Sequence, residues 1–209
     1  MPVGIPTVLA GASASLWGID SRVWFTALIV LVALERLVEM KISRRNAEWA
    51  FAQGAKEYGA EHFPVMVALH MSLLVACLAE VWLRDPAPIP ALTAVCMLAL
   101  AGTMGLRYWV IATLGHRWNT RVIVLPENQV VIGGPFQYVR HPNYLAVCVE
   151  IAVLPLIHAA FITAVVFTIA NALLLRVRIR VEEEALRSRD DHYEILLTRG
   201  AHRRDQSAA

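Results

Sequence analysis

The residues best suited to chemistry fall into two groups in the C-terminal half. From Gly115 to Tyr144 the chain reads GHRWNTRVIVLPENQVVIGGPFQYVRHPNY, and after a long apolar stretch Arg176 to Glu184 reads RVRIRVEEE. Proline disfavours the α conformation in the residue before it and fits the first turn of a helix. His141, just ahead of Pro142, is therefore expected at a helix entrance, near unpaired backbone N–H groups that suit polar ligand atoms. In the second group a helix sets Arg178 and Glu182 one turn apart on one face. Each group also has a plainer reading. The first could be a membrane-surface loop in which Arg140 and Trp118 serve as interfacial anchors. The second could be a solvated, salt-bridged helix end. Spacing alone leaves both open.

Other ionisable residues lie inside apolar runs. Glu150, and the cluster Glu35, Arg36 and Glu39, sit where charge is costly and usually faces a polar cavity or a partner. His70 reads as a residue that hydrogen-bonds between helices, and Gly102 with Gly105 as a close-packing face. Cys77, Cys96 and Cys148 each occupy an apolar run without a CxxC spacing, which suits small buried hydrophobes better than a disulfide or zinc framework. No P-loop, GxGxxG loop, GxSxG elbow or HExxH helix occurs. No bound metal is expected.

The elements that must position these groups follow from composition. The 209 residues are 57% hydrophobic and 17% charged, with a mean hydropathy of +0.53. Soluble domains run near 45–50% apolar and about 25% charged. Disorder is excluded by the hydrophobicity, and a net charge of +2 gives no sign of nucleic acid binding. The chain is expected to be an integral membrane protein. Residues 1–21 lack a basic segment ahead of their weakly apolar stretch, so no cleavable signal peptide is expected.

Charge-free runs give Val23–Leu34, extended through Met40 if its charges turn inward, then Phe63–Ala79, Pro86–Leu106 and Ala159–Leu175. The stretch from Pro142 to Leu175 is too long for one crossing of a roughly 30 Å hydrocarbon core, and Pro155 with His158 marks a break near its middle. A tight helical hairpin is the better reading, which makes about five transmembrane helices. Short β-like pieces are expected at Val122–Leu125 and Val130–Ile132, around a turn at Pro126–Asn128. Sixteen Lys and Arg fall on the side of the polar loop and the tail, against Arg22 and Arg84 on the other. That bias places the N-terminus outside, and the loop and C-terminus in the cytoplasm.

The order GGPFQYVRHPNY, hairpin, RIRVEEEAL resembles the isoprenylcysteine carboxyl methyltransferase family, over about Gly115 to Tyr193. The family pattern is a Gly-Pro-Tyr-x-x-x-Arg-His-Pro-x-Tyr loop, two short membrane helices and Arg-x-x-x-Glu-Glu. The resemblance implies an all-α membrane enzyme with a cytoplasmic S-adenosylmethionine pocket and no Rossmann sheet. It implies one integrated domain, with residues 1–114 as a three-span region and 115–209 as loop, hairpin and C-terminal helix. By position, Val130 and Val131 would line the cofactor through their backbones, with Phe136, His141, Pro142, Asn143 and Tyr144 around it. Glu182 would hold its amino or ribose end, and Arg121 would add a polar contact. Arg178 would face the methyl-accepting group, with Glu183 and Arg140 beside it in the catalytic set.

Two positions depart from the pattern. Phe136 stands where the family usually has Tyr, and the segment Arg189 to Tyr193 lacks the family's glycine. Seventeen Arg against two Lys suit a G+C-rich bacterial genome. The expected acceptor is lipophilic or lipidated: an isoprenoid, polyketide or alkyl phenol reached from membrane lipid, methylated at a carboxylate or hydroxyl. A carboxylate needs only placement and a cation, whereas a phenol would benefit from a base such as Glu183, Glu150 or His141. Two other readings are a phospholipid N-methyltransferase, for which Arg178 has the wrong charge, and a non-catalytic membrane subunit or permease with Glu35, Arg36, Glu39, Glu80 and Glu150 along a path.

Overall fold

A computed structural model describes residues 15–16, 19–126 and 131–188. Two short strands, β1 (Ser15–Leu16) and β2 (Ile19–Asp20), pair at the start. Helix α1 runs Ser21–Ala52. Asp20 caps it, accepting from the Arg22 backbone N–H at 2.9 Å. After β3 (Lys56–Tyr58) come α2 (His62–Arg84) and α3 (Pro90–Leu114). The chain continues through β4 (Val122–Val124), α4 (Pro142–Leu156) and α5 (Phe161–Arg187). The molecule is mostly helical and, among the described residues, has no Rossmann sheet.

Three helices are long and apolar enough to cross a membrane: α2, α3 with the short turn that follows it, and α5. Helix α1 carries Glu35, Arg36 and Glu39 in its middle. Its 32 residues span about 48 Å at 1.5 Å each, so it outruns a bilayer core and continues well past Met40. The expected hairpin is present. α4 ends at Leu156, Ala159 takes a positive φ of 53°, and α5 starts at Phe161. Pro155 sits in the last turn of α4. The Ile157 carbonyl beyond it accepts from Thr93 Oγ1 at 2.8 Å. Glu80 caps the start of α5, with Oε2 taking both the backbone N–H and the hydroxyl of Thr163 at 2.7 Å. Glu80 thus serves a helix end, apart from the other buried carboxylates.

The apolar core joins α1, α2, α3 and α4 through Phe25, Ile29, Leu73, Cys77, Leu100, Ile151 and Leu154. Leu31, Leu83, Leu98, Val165 and Ile169 point outward, as a lipid-facing surface requires. Four expectations change. Gly102 and Gly105 are not packed closely in the chain, since a Cβ at either would meet nothing within 4 Å. Cys77 and Cys96 are buried, but Cys148 is exposed. His70 bonds within its own helix, its Nδ1 lying 2.8 Å from the Met66 carbonyl. Arg107, counted from sequence with the loop charges, is 3% exposed inside the bundle.

The interhelix loops are tied together at one end. β3 and β4 pair antiparallel, Lys56 opposite Val124 and Tyr58 opposite Val122, which joins the α1–α2 loop to the α3–α4 loop. Gly59 follows with φ of 60°, and a Cβ there would lie 2.9 Å from Val181 Cγ1. Only glycine fits this approach to α5. Val131 and Ile132 form no strand, and Val130 lies outside the described residues.

Candidate functional site

The site begins where α3 stops. Gly115, with φ of 54°, ends that helix, and the following segment turns back under the bundle. The long tail of α1 holds it there. Ser43 Oγ is 2.8 Å from Asn119 Oδ1 and accepts from the Thr120 backbone N–H at 3.0 Å. Asn119 Nδ2 donates to the Ser43 carbonyl at 2.9 Å, and Asn46 Nδ2 donates to the Trp118 carbonyl at 2.7 Å. This network explains why α1 has to run past the apolar stretch. It also buries Trp118 to 2% exposure, so the residue is not an interfacial anchor.

The second half of the loop approaches α3 at Gly134. Its φ is 59°, and a Cβ would collide with Thr113 Oγ1. Glycine is needed both for the backbone conformation and for the close approach. His141 then takes the N-cap position of α4, with Pro142 in the first turn, as the sequence implied. That register points Tyr144 at α5.

The Tyr144 hydroxyl donates to Glu182 Oε2 and accepts from Arg178 Nε at 3.1 Å. Arg178 is 7% exposed. It also donates to the Thr120 carbonyl, and its Nη1 lies 2.9 Å from Met66 Sδ. One guanidinium therefore ties α5 to α2, α4 and the loop. His141 Nε2 lies 3.1 Å from Glu183 Oε1, to which it can only donate. Arg140 and Arg187 reach the same carboxylate at 3.2 and 3.9 Å.

Two cavities meet here. The loop cavity is walled by Arg121, Phe136, His141, Pro142, Asn143, Tyr144, Arg178 and Glu182, together with Trp118 and Asn119. A second, mostly apolar cavity runs between α1, α2, α4 and α5 past Met66, Val67, Val147 and Leu174. Trp118, Asn143, Tyr144 and Arg178 wall both. Two polar atoms at this junction are buried without a hydrogen-bond partner: the Trp118 Nε1 donor and the Asn143 Oδ1 acceptor.

Eight of the residues singled out from sequence thus come together. Glu183 and Arg140 stand behind the cavity wall, where they hold His141, and Val131 lines neither cavity. Val130 and the segment Arg189 to Tyr193 lie outside the described residues. Sequence reasoning missed Asn119, Thr120 and Met66, and gave Trp118 a different place. The signal for the loop residues was Gly115 ending a long helix just ahead of them. Met66 carried none.

The inward charges of α1 form a separate web deeper in the bundle. Arg36 pairs with Glu35, with Glu39 Oε2 at 2.7 Å and with Glu150 Oε1 at 3.2 Å. Arg107 pairs with Glu150 and stands 3.3 Å from Glu39 Oε1. Arg107 is the partner that the sequence reading left out. Among the described residues no cluster of His, Cys, Asp and Glu could hold a metal ion.

The isoprenylcysteine carboxyl methyltransferase family model matches residues 94–188, which contain α3 from its first turns, the loop and both arms of the hairpin. The uncharacterized protein YpbQ of Bacillus subtilis is 36% identical over 162 residues, covering 78% of this chain and 96% of its own. An uncharacterized protein of Haemophilus influenzae is 30% identical over 152 residues, covering 72% of this chain and 88% of its own. No solved structure matches significantly. With the shared loop-and-hairpin region and two relatives matched over most of their length, the chain belongs to the isoprenylcysteine carboxyl methyltransferase family, a family of membrane methyltransferases.

Proposed function

We propose that the protein transfers a methyl group from S-adenosylmethionine, held in the loop cavity, to a carboxylate or acidic hydroxyl of a lipophilic acceptor in the apolar cavity. The observation that carries this reading is the shared wall of Trp118, Asn143, Tyr144 and Arg178 between the more polar loop cavity and a mostly apolar one. A transferase needs two binding spaces that touch at one place.

The residues present fit the cofactor. S-adenosylmethionine carries amine, carboxylate, hydroxyl and adenine groups, so it can pair with both the orphaned Trp118 Nε1 donor and the orphaned Asn143 Oδ1 acceptor. Glu182 gives Oε2 to Tyr144 and keeps Oε1 for an ammonium or a ribose hydroxyl. Arg121, over the Phe63 ring at 4.9 Å and 3.4 Å from Glu57, closes the loop side. Phe136 adds apolar surface without the hydroxyl of the family tyrosine. When bound, the cofactor supplies a methyl group already activated by the sulfonium.

The chain's own work is then placement. Arg178 provides a fixed cation for a carboxylate, or for the anion of an acidic phenol or enol. Val67, Val147 and Leu174 keep water from the junction. Glu183 acts through His141 as a positioning group, and Arg140 and Arg187 hold it in turn. Met40 and Met71 line the apolar cavity and are exposed on the outer surface, which opens a route from lipid between α1 and α2.

In this reading α1 and α4 complete five spans. The loop and the C-terminal helix face the cytoplasm of a bacterial cell, and the N-terminus lies outside. Burial of Arg107 leaves the basic bias strongly on the loop side. An amine acceptor is disfavoured by Arg178, and a solute path is disfavoured by the mutual pairing of Glu35, Arg36, Glu39, Arg107 and Glu150.

Isothermal titration of the detergent-purified protein with S-adenosylhomocysteine tests the reading. Saturable binding at one site per chain is expected. No binding at millimolar ligand would overturn it.

A further inference from the structure

The apolar cavity is not apolar at its inner end. Arg36, Glu39, His70, Arg107 and Asn171 all line it there. The ion-pair web sets three carboxylates against two guanidinium groups. It leaves both donors, Arg36 Nε and Nη2 and Arg107 Nε, and acceptors, Glu35 Oε2 and Glu39 Oε1, without a hydrogen bond. Glu39 Oε1 lies 3.3 Å from Arg107 Nε, but the two are misaligned and neither makes a hydrogen bond.

Asn171 is an independent sign of a ligand. It is 1% exposed, and its Nδ2 reaches only the Cys148 sulfur, at 3.8 Å. Its Oδ1 is buried with no partner. His70 adds a further acceptor. Its Nδ1 must donate to the Met66 carbonyl at 2.8 Å, which leaves Nε2 of the neutral ring as a lone-pair site. A plain hydrocarbon chain laid against these atoms would leave them unpaired in a low-dielectric space, which is unfavourable.

The depth of this end can be read along α5. Asn171 precedes Arg178 by about two helical turns, so both face the same cavity, separated by roughly 10 Å along the axis. We infer that the inner end is a second polar subsite, which takes a hydroxyl group, able both to donate and to accept a hydrogen bond, carried on the hydrophobic body of the acceptor. The acceptor is then a lipid with two polar positions about 10 Å apart: one at Arg178, where the methyl group arrives, and one at Asn171, His70 and Glu39. The inference rests on the reading that this cavity holds the acceptor.

The test compares octane-1,8-diol with octan-1-ol, titrated calorimetrically into the full-length protein in nanodiscs, with concentrations corrected for partition into lipid. The diol is expected to bind about fivefold to tenfold more tightly, the worth of one buried hydrogen bond. Asn171→Leu should bring the ratio close to one. His70→Phe should reduce the ratio as well, and serves in place of Asn171→Leu if that variant does not fold. Equal binding of the two probes to the unmodified protein, as expected if water fills the subsite, overturns the inference. So does a preference that survives both substitutions. S-adenosylhomocysteine is titrated into the same samples. Cofactor-analogue binding without diol preference removes the subsite alone. Diol preference without analogue binding removes the methyltransferase reading and leaves the subsite standing.

Discussion

Two groups of charge lie within a few helical turns of each other and are built on opposite principles. In the web of α1, α3 and α4, each of Arg36 and Arg107 is wedged between carboxylates. Around Arg178, Tyr144 and Glu182 the bonds form a single chain whose members each face a cavity. The web neutralises its charge within itself, as ion pairs, although Glu35 Oε2, Arg36 Nε and Nη2, Glu39 Oε1 and Arg107 Nε make no hydrogen bond. The chain keeps part of its capacity free, and the orphaned Trp118 Nε1 and Asn143 Oδ1 adjoin it. Sequence composition ranks the two groups alike, since both are arginines and glutamates at the edge of apolar runs. Chemistry is expected where ordered polar groups face two cavities at once.

Substitutions at the two groups should therefore fail in different ways. The largest effect is expected at Arg178. Arg178→Ala should abolish methyl transfer, because Arg178 holds the acceptor. The calorimetric affinity for S-adenosylhomocysteine should fall less than in a cofactor-side variant, the remaining loss reflecting the bonds of Arg178 to Tyr144 and the Thr120 carbonyl. Glu182→Ala should weaken that affinity by tenfold or more, as expected for losing a charge-assisted hydrogen bond. Equal loss of analogue binding in both variants would break the division between acceptor side and cofactor side.

At the web the loss should be of stability. Arg107→Met leaves Glu150 and Glu39 buried with only Arg36 to answer them, and removing one partner of such a pair costs about 3–5 kcal/mol. Thermal unfolding in detergent should show a marked fall in Tm. The double variant Arg107→Met/Glu150→Leu should recover part of it, since an apolar pair carries no unpaired charge. A single variant as stable as the parent would mean that the web is solvated.

A smaller effect is expected at the far end of the hairpin. His158 is fully buried in the turn between α4 and α5, with Nε2 3.0 Å from Ser21 Oγ. Burial lowers its pKa below the ordinary imidazole value. The fold thus favours the neutral ring, and its contribution to stability is present above the unfolded pKa. It is lost as pH falls through the depressed folded value. Unfolding followed from pH 7.5 to pH 5 should show a decline that His158→Phe reduces. Identical pH profiles for the two proteins would show that the ring does not titrate with unfolding.

Much of the architecture was set by local patterns. Pro142 after His141 marked a helix entrance, and Pro155 with His158 marked the region of the hairpin break, because proline fits a first helical turn and lacks the N–H a helix interior needs. The motif order GGPFQYVRHPNY and RIRVEEEAL was enough to identify the family region. Other features had no local signature. The first span was expected to reach Met40, where the apolar stretch of α1 ends. It continues because Ser43 and Asn46 hold the loop around Asn119 and Trp118, residues distant in sequence.

Sequence alone therefore determined what depends on nearest neighbours and on composition: a membrane-suited helical chain, the position of its breaks, and a loop and an acidic helix carrying the family pattern. Tertiary structure decided which charges neutralise one another and which remain open to a cavity. Arg107 and Arg178 are both buried arginines on apolar helices. One is locked against Glu150 and Glu39, and the other stands where two cavities join. That difference lies in contacts between helices distant in the chain, and no window of sequence contains both partners.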